Sequence, residues 1–205
     1  MSGPLVKICG ITRVEDALLA ARVGADALGF NFWPRSRRYL SHRAAATIVR
    51  ALPPETLPVG VFVDPTRDEV LRAVEVTGIR AVQLHGDEAP AFCAALPVPV
   101  VKGIRVKDSH SLAALAAYEV SGFLLDSATP GYGGSGTAFD WSIWTEAAAV
   151  VPIWLAGGLT PENVAEAVRL VRPHGVDVAS GVELAPGVKD PARVEAFIRA
   201  AKGAQ

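Results

Sequence analysis

The chain of 205 residues contains only two cysteines, Cys9 and Cys93, and one methionine. Two thiols cannot build a disulfide framework, and no Cys/His spacing matches a zinc site, so neither cross-links nor a structural metal is expected. Long apolar runs are missing as well. No stretch approaches the roughly 18 apolar residues of a membrane span, and the start, Met1-Ser2-Gly3-Pro4-Leu5-Val6-Lys7, lacks the basic region and apolar core of a signal peptide. A net charge of -1 leaves no excess of either sign, which argues against general affinity for nucleic acid or acidic membranes. A cytoplasmic protein with no nucleic-acid and no membrane partner is therefore expected. Side-chain amides are scarce, with Asn31, Asn163, Gln83 and Gln205 set against 15 prolines. That pattern fits a thermostable protein and equally the codon bias of an Arg- and Ala-rich proteome, and both readings stay open. No linker, low-complexity segment or charge block divides residues 1–205, so one domain is expected.

The composition, 50% hydrophobic and 20% charged, suits a well-packed core. Short β-type runs alternate with Ala-rich helical stretches along the whole length. The pattern predicts strands over 6–9, 27–32, 58–63, 81–85, 98–104, 122–126, 152–156 and 176–180. Helices are predicted over 14–23, 42–51, 67–77, 89–95, 111–117, 141–150, 161–171 and 191–201. Ser41, Thr66, Asp140, Thr160 and Asp190 stand where N-caps belong, and Pro161 and Pro191 suit a first helical turn. Strands apolar on both faces and separated by helices indicate parallel βαβ units. Eight such units predict an α/β fold, a closed (β/α)8 TIM barrel near the small end of its size range. An open doubly wound sheet is the rival, but it would need a break in the repeating order or a dinucleotide fingerprint.

In a closed barrel the chemistry gathers at the C-terminal ends of the strands. Read in order, those ends supply Cys9, the loop 31–38 with Arg35, Arg37 and Arg38, then Asp64, Gln83 and His85, Lys102 and Arg105, Asp126, Gly157-Gly158, and Ser180-Gly181. A thiol and a carboxylate at two strand tips, Cys9 and Asp126, make a natural base-and-acid pair. The alternative for Cys9 is a small buried hydrophobe, which is how Cys93 reads within an Ala-rich helix. Loops seven and eight, Leu155-Ala156-Gly157-Gly158-Leu159 and Val178-Ala179-Ser180-Gly181-Val182-Glu183, bare backbone N–H groups, and a short extra helix after Gly181 would aim its positive end at an anion. Phosphate commonly sits there in these barrels. Gly131-Tyr132-Gly133-Gly134-Ser135-Gly136 matches G-x-G-x-x-G by letter, yet it does not join strand to helix and no acid follows about 20 residues on. Residues 127–139 read better as a lid with glycine hinges. At least one loop-two arginine is expected to hold a carboxylate or phosphate, and His85 is expected to contact ligand.

These segments resemble the phosphoribosylanthranilate isomerase family of tryptophan biosynthesis. The likeness is carried by Lys7-Ile8-Cys9-Gly10-Ile11-Thr12, Gly29 to Tyr39, Gly60-Val61-Phe62-Val63, Val82-Gln83-Leu84-His85-Gly86 and Leu124-Leu125-Asp126-Ser127. It continues through Gly133-Gly134-Ser135-Gly136-Thr137, Phe139-Asp140-Trp141, Ala156-Gly157-Gly158-Leu159, Gly175-Val176-Asp177-Val178 and Ser180-Gly181-Val182-Glu183. The resemblance implies Cys9 as general base, Asp126 as general acid and Arg38 as anchor for the anthranilate carboxylate. Gln83, His85, Gly157, Gly158, Asp177, Ser180 and Gly181 complete the expected substrate contacts. Ala179 departs from the family, which often has Ser there, at the expense of one hydroxyl near the phosphate. The implied reaction is an Amadori rearrangement of N-(5-phosphoribosyl)anthranilate, in which the iminium is the electron sink and no cofactor is needed. The expected partner is a small phosphorylated molecule, and a homodimer is allowed. Two rivals are weighed beside this reading. One is the histidine-pathway isomerase, whose sites resemble a pair of aspartates where this chain has Cys9. The other is a non-catalytic barrel that binds a phosphorylated ligand.

One expectation follows from alternation alone. Lys7 shares a strand face with Cys9, one layer deeper. Strand eight neighbours strand one, and its Asp177 takes a comparable inward position, so a buried Lys7–Asp177 ion pair is expected beneath the site. Whether it tunes the Cys9 thiol or only satisfies the interior is left open.

Overall fold

Runs rich in Val, Ile, Leu and Phe, apolar on both faces, must be covered on both faces, as they are in a barrel with a packed interior and an outer shell of helices. In a computed structural model of the chain, which describes residues 3–106, 114–127 and 152–204, those runs form eight parallel strands. They are β1 (Leu5–Cys9), β2 (Ala27–Asn31), β3 (Leu57–Phe62), β4 (Ala81–Leu84), β5 (Val100–Val106), β6 (Gly122–Ser127), β7 (Ile153–Ala156) and β8 (Gly175–Val178). Neighbours pair in sequence order and β8 closes onto β1, with Lys7 opposite Asp177. The expected closed barrel is the one formed.

The helices are α1 (Val14–Arg22), α2 (His42–Ala51), α3 (Arg67–Thr77), α4 (Pro90–Ala94), α5 (Val164–Val171) and α6 (Pro191–Lys202), with a 3-10 turn at Ala114–Ala117. Three expected caps form. Ser41 accepts from the Ala44 N–H, Asp190 accepts from Ala192 and Arg193, and Thr66 makes a reciprocal capping box with Glu69, which satisfies donors a helix start leaves unpaired. Thr160 is not the cap of α5. Asn163 Oδ1 accepts the Thr160 N–H at 2.8 Å while its Nδ2 donates to the Gly158 carbonyl at 3.0 Å. That bracing folds a turn first, so Pro161 lies in the turn and the helix begins at Val164. Beyond β8 the expected extra helix is a 3-10 turn at Ser180–Val182, followed by a hairpin of β9 (Glu183–Ala185) and β10 (Val188–Lys189). The strand stops at Val178, two residues short of the expected end, because the backbone breaks at Ala179 (φ -123, ψ -81). The glycine-rich 131–136, most of the expected lid, Asp140 and the helix 141–150 lie outside the described residues, as do Lys107 to Ala113.

Alternation divides each strand between two environments. Val6, Ile8, Leu28, Phe30, Val82, Leu84, Ile153, Leu155, Val176 and Val178 point outward into one continuous core shared with the helices. Ala27, Val59 and Ala81, with Leu57 against them, plug the lower interior. Above that plug, on the same inward parity, stand Lys7, Cys9, Gln83, Asp126 and Asp177. Among the described residues no helix is long and apolar enough to cross a membrane.

Candidate active site

The inward end of β1 carries the first half of the site. Lys7 is 3% exposed, and its Nζ donates to Asp177 Oδ1 at 2.8 Å and to Gln83 Oε1 at 2.9 Å. The ion pair expected from strand alternation is therefore present, and it occupies the Asp177 carboxylate. Burial draws the Lys7 ammonium down, but Asp177 and the neighbouring Cys9 more than offset that and hold it above its ordinary value. Burial also pushes the Cys9 thiol up. Lys7 pulls it back by charge and hydrogen bond, Asp177 adds to the rise and Lys189 opposes it, and the balance stays above the ordinary cysteine value. Cys9 keeps some contact with solvent, yet most of its surroundings are protein. Room for thiol and ammonium side by side comes from Gly29 on β2, where a Cβ would stand 2.7 Å from Cys9 Sγ and 3.1 Å from Lys7 Nζ.

Across the mouth, Gln83 Nε2 lies 3.0 Å from His85 Nδ1, and His85 Nε2 lies 3.6 Å from Asp126 Oδ2. The imidazole rests on Gly103 of β5, where a Cβ would stand 2.7 Å from Nδ1. Asp126 keeps 35% of its side-chain surface open, as a group that exchanges a proton with a ligand requires. Thus a chain of contacts joins Asp177, Lys7, Gln83, His85 and Asp126 from one side of the barrel to the other.

Among the described residues, Arg38 is the one loop-two arginine with a side-chain partner, while Arg35 and Arg37 are exposed. The Arg38 Nε and Nη2 form a fork onto Glu183 at 2.8 and 2.6 Å, and the side chain crosses so close to Gly10 that a Cβ there would collide with it. Glu183 also accepts from Lys189 Nζ at 2.9 Å and from the Gly187 N–H at 3.2 Å. Burial alone would push the Glu183 carboxyl up, but Arg38 and Lys189 hold it below its ordinary range. Burial draws the Lys189 ammonium below its ordinary value in spite of Glu183; its Nζ reaches the Cys9 carbonyl at 2.5 Å. This cluster pins loop two and the β9–β10 hairpin to the end of β1. The fork leaves Arg38 Nη1 free of Glu183. Glu183 carried a signal only as part of the Ser180–Glu183 motif and Gly29 only as the start of the Gly29 to Tyr39 segment, and Lys189 carried none.

Loops seven and eight lie next to each other between Asp126 on β6 and Cys9 on β1. Gly157 (φ 86) and Gly158 (φ 65) both have positive φ, a backbone conformation that glycine adopts without strain. Gly181 packs so tightly that a Cβ would strike the Leu159 carbonyl oxygen, and Ser180 is exposed at the start of the 3-10 turn.

Lys102 and Asp64, expected at strand ends, prove to be structural, and Lys102 lies early in β5. Lys102 faces out of the barrel beside Leu84 and Phe123, is 1% exposed, and is bound by Glu88 Oε2 at 2.9 Å and the Gly86 carbonyl at 2.7 Å. Asp64 has φ 48 and accepts the Asp87 N–H at 2.6 Å. Both brace the loop after β4.

A protein-family model described as N-(5'-phosphoribosyl)anthranilate (PRA) isomerase matches residues 6–200. An N-(5'-phosphoribosyl)anthranilate isomerase from Myxococcus xanthus is 52% identical over 202 residues, covering 96% of this chain and 95% of that relative. Among solved structures, phosphoribosyl anthranilate isomerase from Thermotoga maritima superposes with a TM-score of 0.91 at 44% identity, over 98% of this chain and 99% of that one. A phosphoribosyl anthranilate isomerase in complex with reduced 1-(o-carboxyphenylamino)-1-deoxyribulose 5-phosphate gives a TM-score of 0.89 at 41% identity, with coverage of 98% and 99%.

Proposed function

The chain belongs to the N-(5'-phosphoribosyl)anthranilate isomerase family, and from that premise we propose how its residues share the work. The protein isomerises N-(5'-phosphoribosyl)anthranilate, a phosphorylated small molecule, in tryptophan biosynthesis. That activity leaves no place for the histidine-pathway and binding-only readings.

The substrate phosphate lies against the backbone N–H groups of loops seven and eight, at Gly157, Gly158, Ser180 and Gly181. The sugar then spans from β6 to β1, and the anthranilate carboxylate reaches Arg38 on the edge that Glu183 leaves open. Asp126 gives its proton to the ring oxygen. The C1–O bond breaks, its electrons stay on oxygen, and the nitrogen lone pair forms a cationic Schiff base. Cys9 as thiolate takes the C2 proton, the C1–C2 double bond forms, and the iminium electrons return to nitrogen. The enolamine gains a proton at C1 and loses one from the C2 hydroxyl to become the ketone. Hydrogen moves within one molecule and no co-reactant enters.

The observation that carries this reading is the pairing of a thiol beside Lys7 with a partly open carboxylate beside His85, on either side of the glycine loops. At rest Cys9 is a thiol, because burial raises it; the Schiff-base cation arriving next to it adds the positive charge that favours the thiolate, and the thiol proton leaves to solvent, with which Cys9 keeps contact. Asp177 serves as the partner of Lys7 and not as a substrate contact. The site draws on both ends of the chain, since β1 and β8 close it together, so the whole chain works as one domain. A chemically active free thiol suits a reducing compartment, which supports a cytoplasmic location. Cys9→Ala and Asp126→Asn should each lower kcat by roughly 100-fold or more, the scale of general acid–base catalysis. Near wild-type turnover in either folded variant removes that residue from its role.

A further inference from the structure

A lysine ammonium has N–H donors and no acceptor. Because Lys7 Nζ bonds Gln83 Oε1, the Gln83 side chain has one orientation: carbonyl toward Lys7, amide NH2 toward His85. The amide offers no lone pair to the imidazole, so His85 Nδ1, 3.0 Å away, is the acceptor and carries no proton. The ring proton therefore sits on Nε2, the nitrogen facing Asp126 Oδ2. The ring is held in that pose by its close approach to Gly103.

We propose that Gln83, oriented by Lys7, is a positioning residue that fixes His85 in the Nε2–H tautomer and so keeps the transferable proton of Asp126 on Oδ1. At 3.6 Å the Nε2–Oδ2 separation is longer than a hydrogen bond, but the positive Nε2–H edge still faces Oδ2, so the acid's own proton goes on the oxygen turned away from His85. Once the proton has passed to the sugar, the same Nε2–H faces a full carboxylate, and closing the 3.6 Å gap forms a charge-assisted hydrogen bond. The contact thus strengthens as the acid ionises, which favours proton release. Gln83 moves from a substrate contact to a residue acting through His85. The inference rests on Asp126 being the acid, but the tautomer can be measured without reference to turnover.

The test is nitrogen-15 NMR of the histidine rings in the full-length protein without substrate, at mildly alkaline pH, with His85 assigned from the signals lost in His85→Gln. Wild type should show His85 Nδ1 unprotonated and Nε2 protonated. Gln83→Glu keeps an acceptor for Lys7 but turns an acceptor toward Nδ1, so the proton should move to Nδ1. Its kcat should fall roughly 10-fold, the scale of one hydrogen bond, with KM little changed. An Nδ1–H tautomer in wild type overturns the proposal, as does an unchanged tautomer in Gln83→Glu; if that variant fails to fold, the wild-type spectrum decides alone. An Nε2–H tautomer together with full turnover in Asp126→Asn would instead remove the acid assignment, and an inactive Asp126→Asn with an Nδ1–H tautomer would remove only the role of Gln83.

Discussion

Replacing Gly29 with alanine places a methyl group in the space shared by the Cys9 thiol and the Lys7 ammonium. The new Cβ would stand 2.7 Å from Sγ, whereas ordinary contact begins at 3.4 Å, and the Cys9 Cα at 3.2 Å blocks retreat along the strand. Reaching the 3.0 Å limit of real contacts needs a shift of 0.3 Å, and reaching ordinary contact needs 0.7 Å, the differences between those distances. Misplacing a reacting group by about 1 Å can lower rate by roughly 100-fold, so kcat of Gly29→Ala should drop by something between about 10-fold and 100-fold. Overpacking of this kind costs about 1–3 kcal/mol of stability, which a barrel of this size tolerates. Turnover of phosphoribosylanthranilate followed by anthranilate fluorescence, with a urea unfolding curve on the same preparation, separates the two effects. A folded Gly29→Ala enzyme with wild-type kcat would mean that the thiol's position does not matter, and the base assignment would fall with it.

Two further outcomes follow from the charge clusters. Arg38→Met should raise KM while leaving kcat little changed, because it removes a contact made alike in ground and transition states; steady-state kinetics with an unchanged KM would move the carboxylate site elsewhere. Lys7 lowers and Asp177 raises the Cys9 pKa, so the midpoint for Cys9 alkylation against pH should move up in Lys7→Met and down in Asp177→Asn. Wild type should titrate above the ordinary cysteine range, and identical midpoints in all three folded proteins would leave the pair as structure alone.

Much of this arrangement is legible in the sequence because a closed barrel imposes two simple rules. Strand parity sets which residues face inward, and ring closure makes the first and last strands neighbours. Together they were enough to pair Lys7 with Asp177 across 170 positions. The same parity exposes the misreading of Lys102 as a strand-end residue: it lies early in β5 on the outward face of Leu84 and Phe123, so its burial is structural. What escaped the sequence lies where no repeat applies. The β9–β10 hairpin interrupts the βα pattern, and the Arg38–Glu183 fork joins loop two to that hairpin across 145 positions. Asn163 likewise delays α5 by a side-chain brace that competes with the helix start, which the favourable Thr160-Pro161 pair conceals.

The assignment of base and acid is tested most directly with substrate deuterated at C2 in single-turnover experiments. Crippling the base makes removal of the C2 hydrogen the slow step, so Cys9→Ala should show a full primary isotope effect. Crippling the acid makes ring opening the slow step, so Asp126→Asn should show none. An isotope effect in Asp126→Asn with none in Cys9→Ala would reverse the two roles and contradict the account.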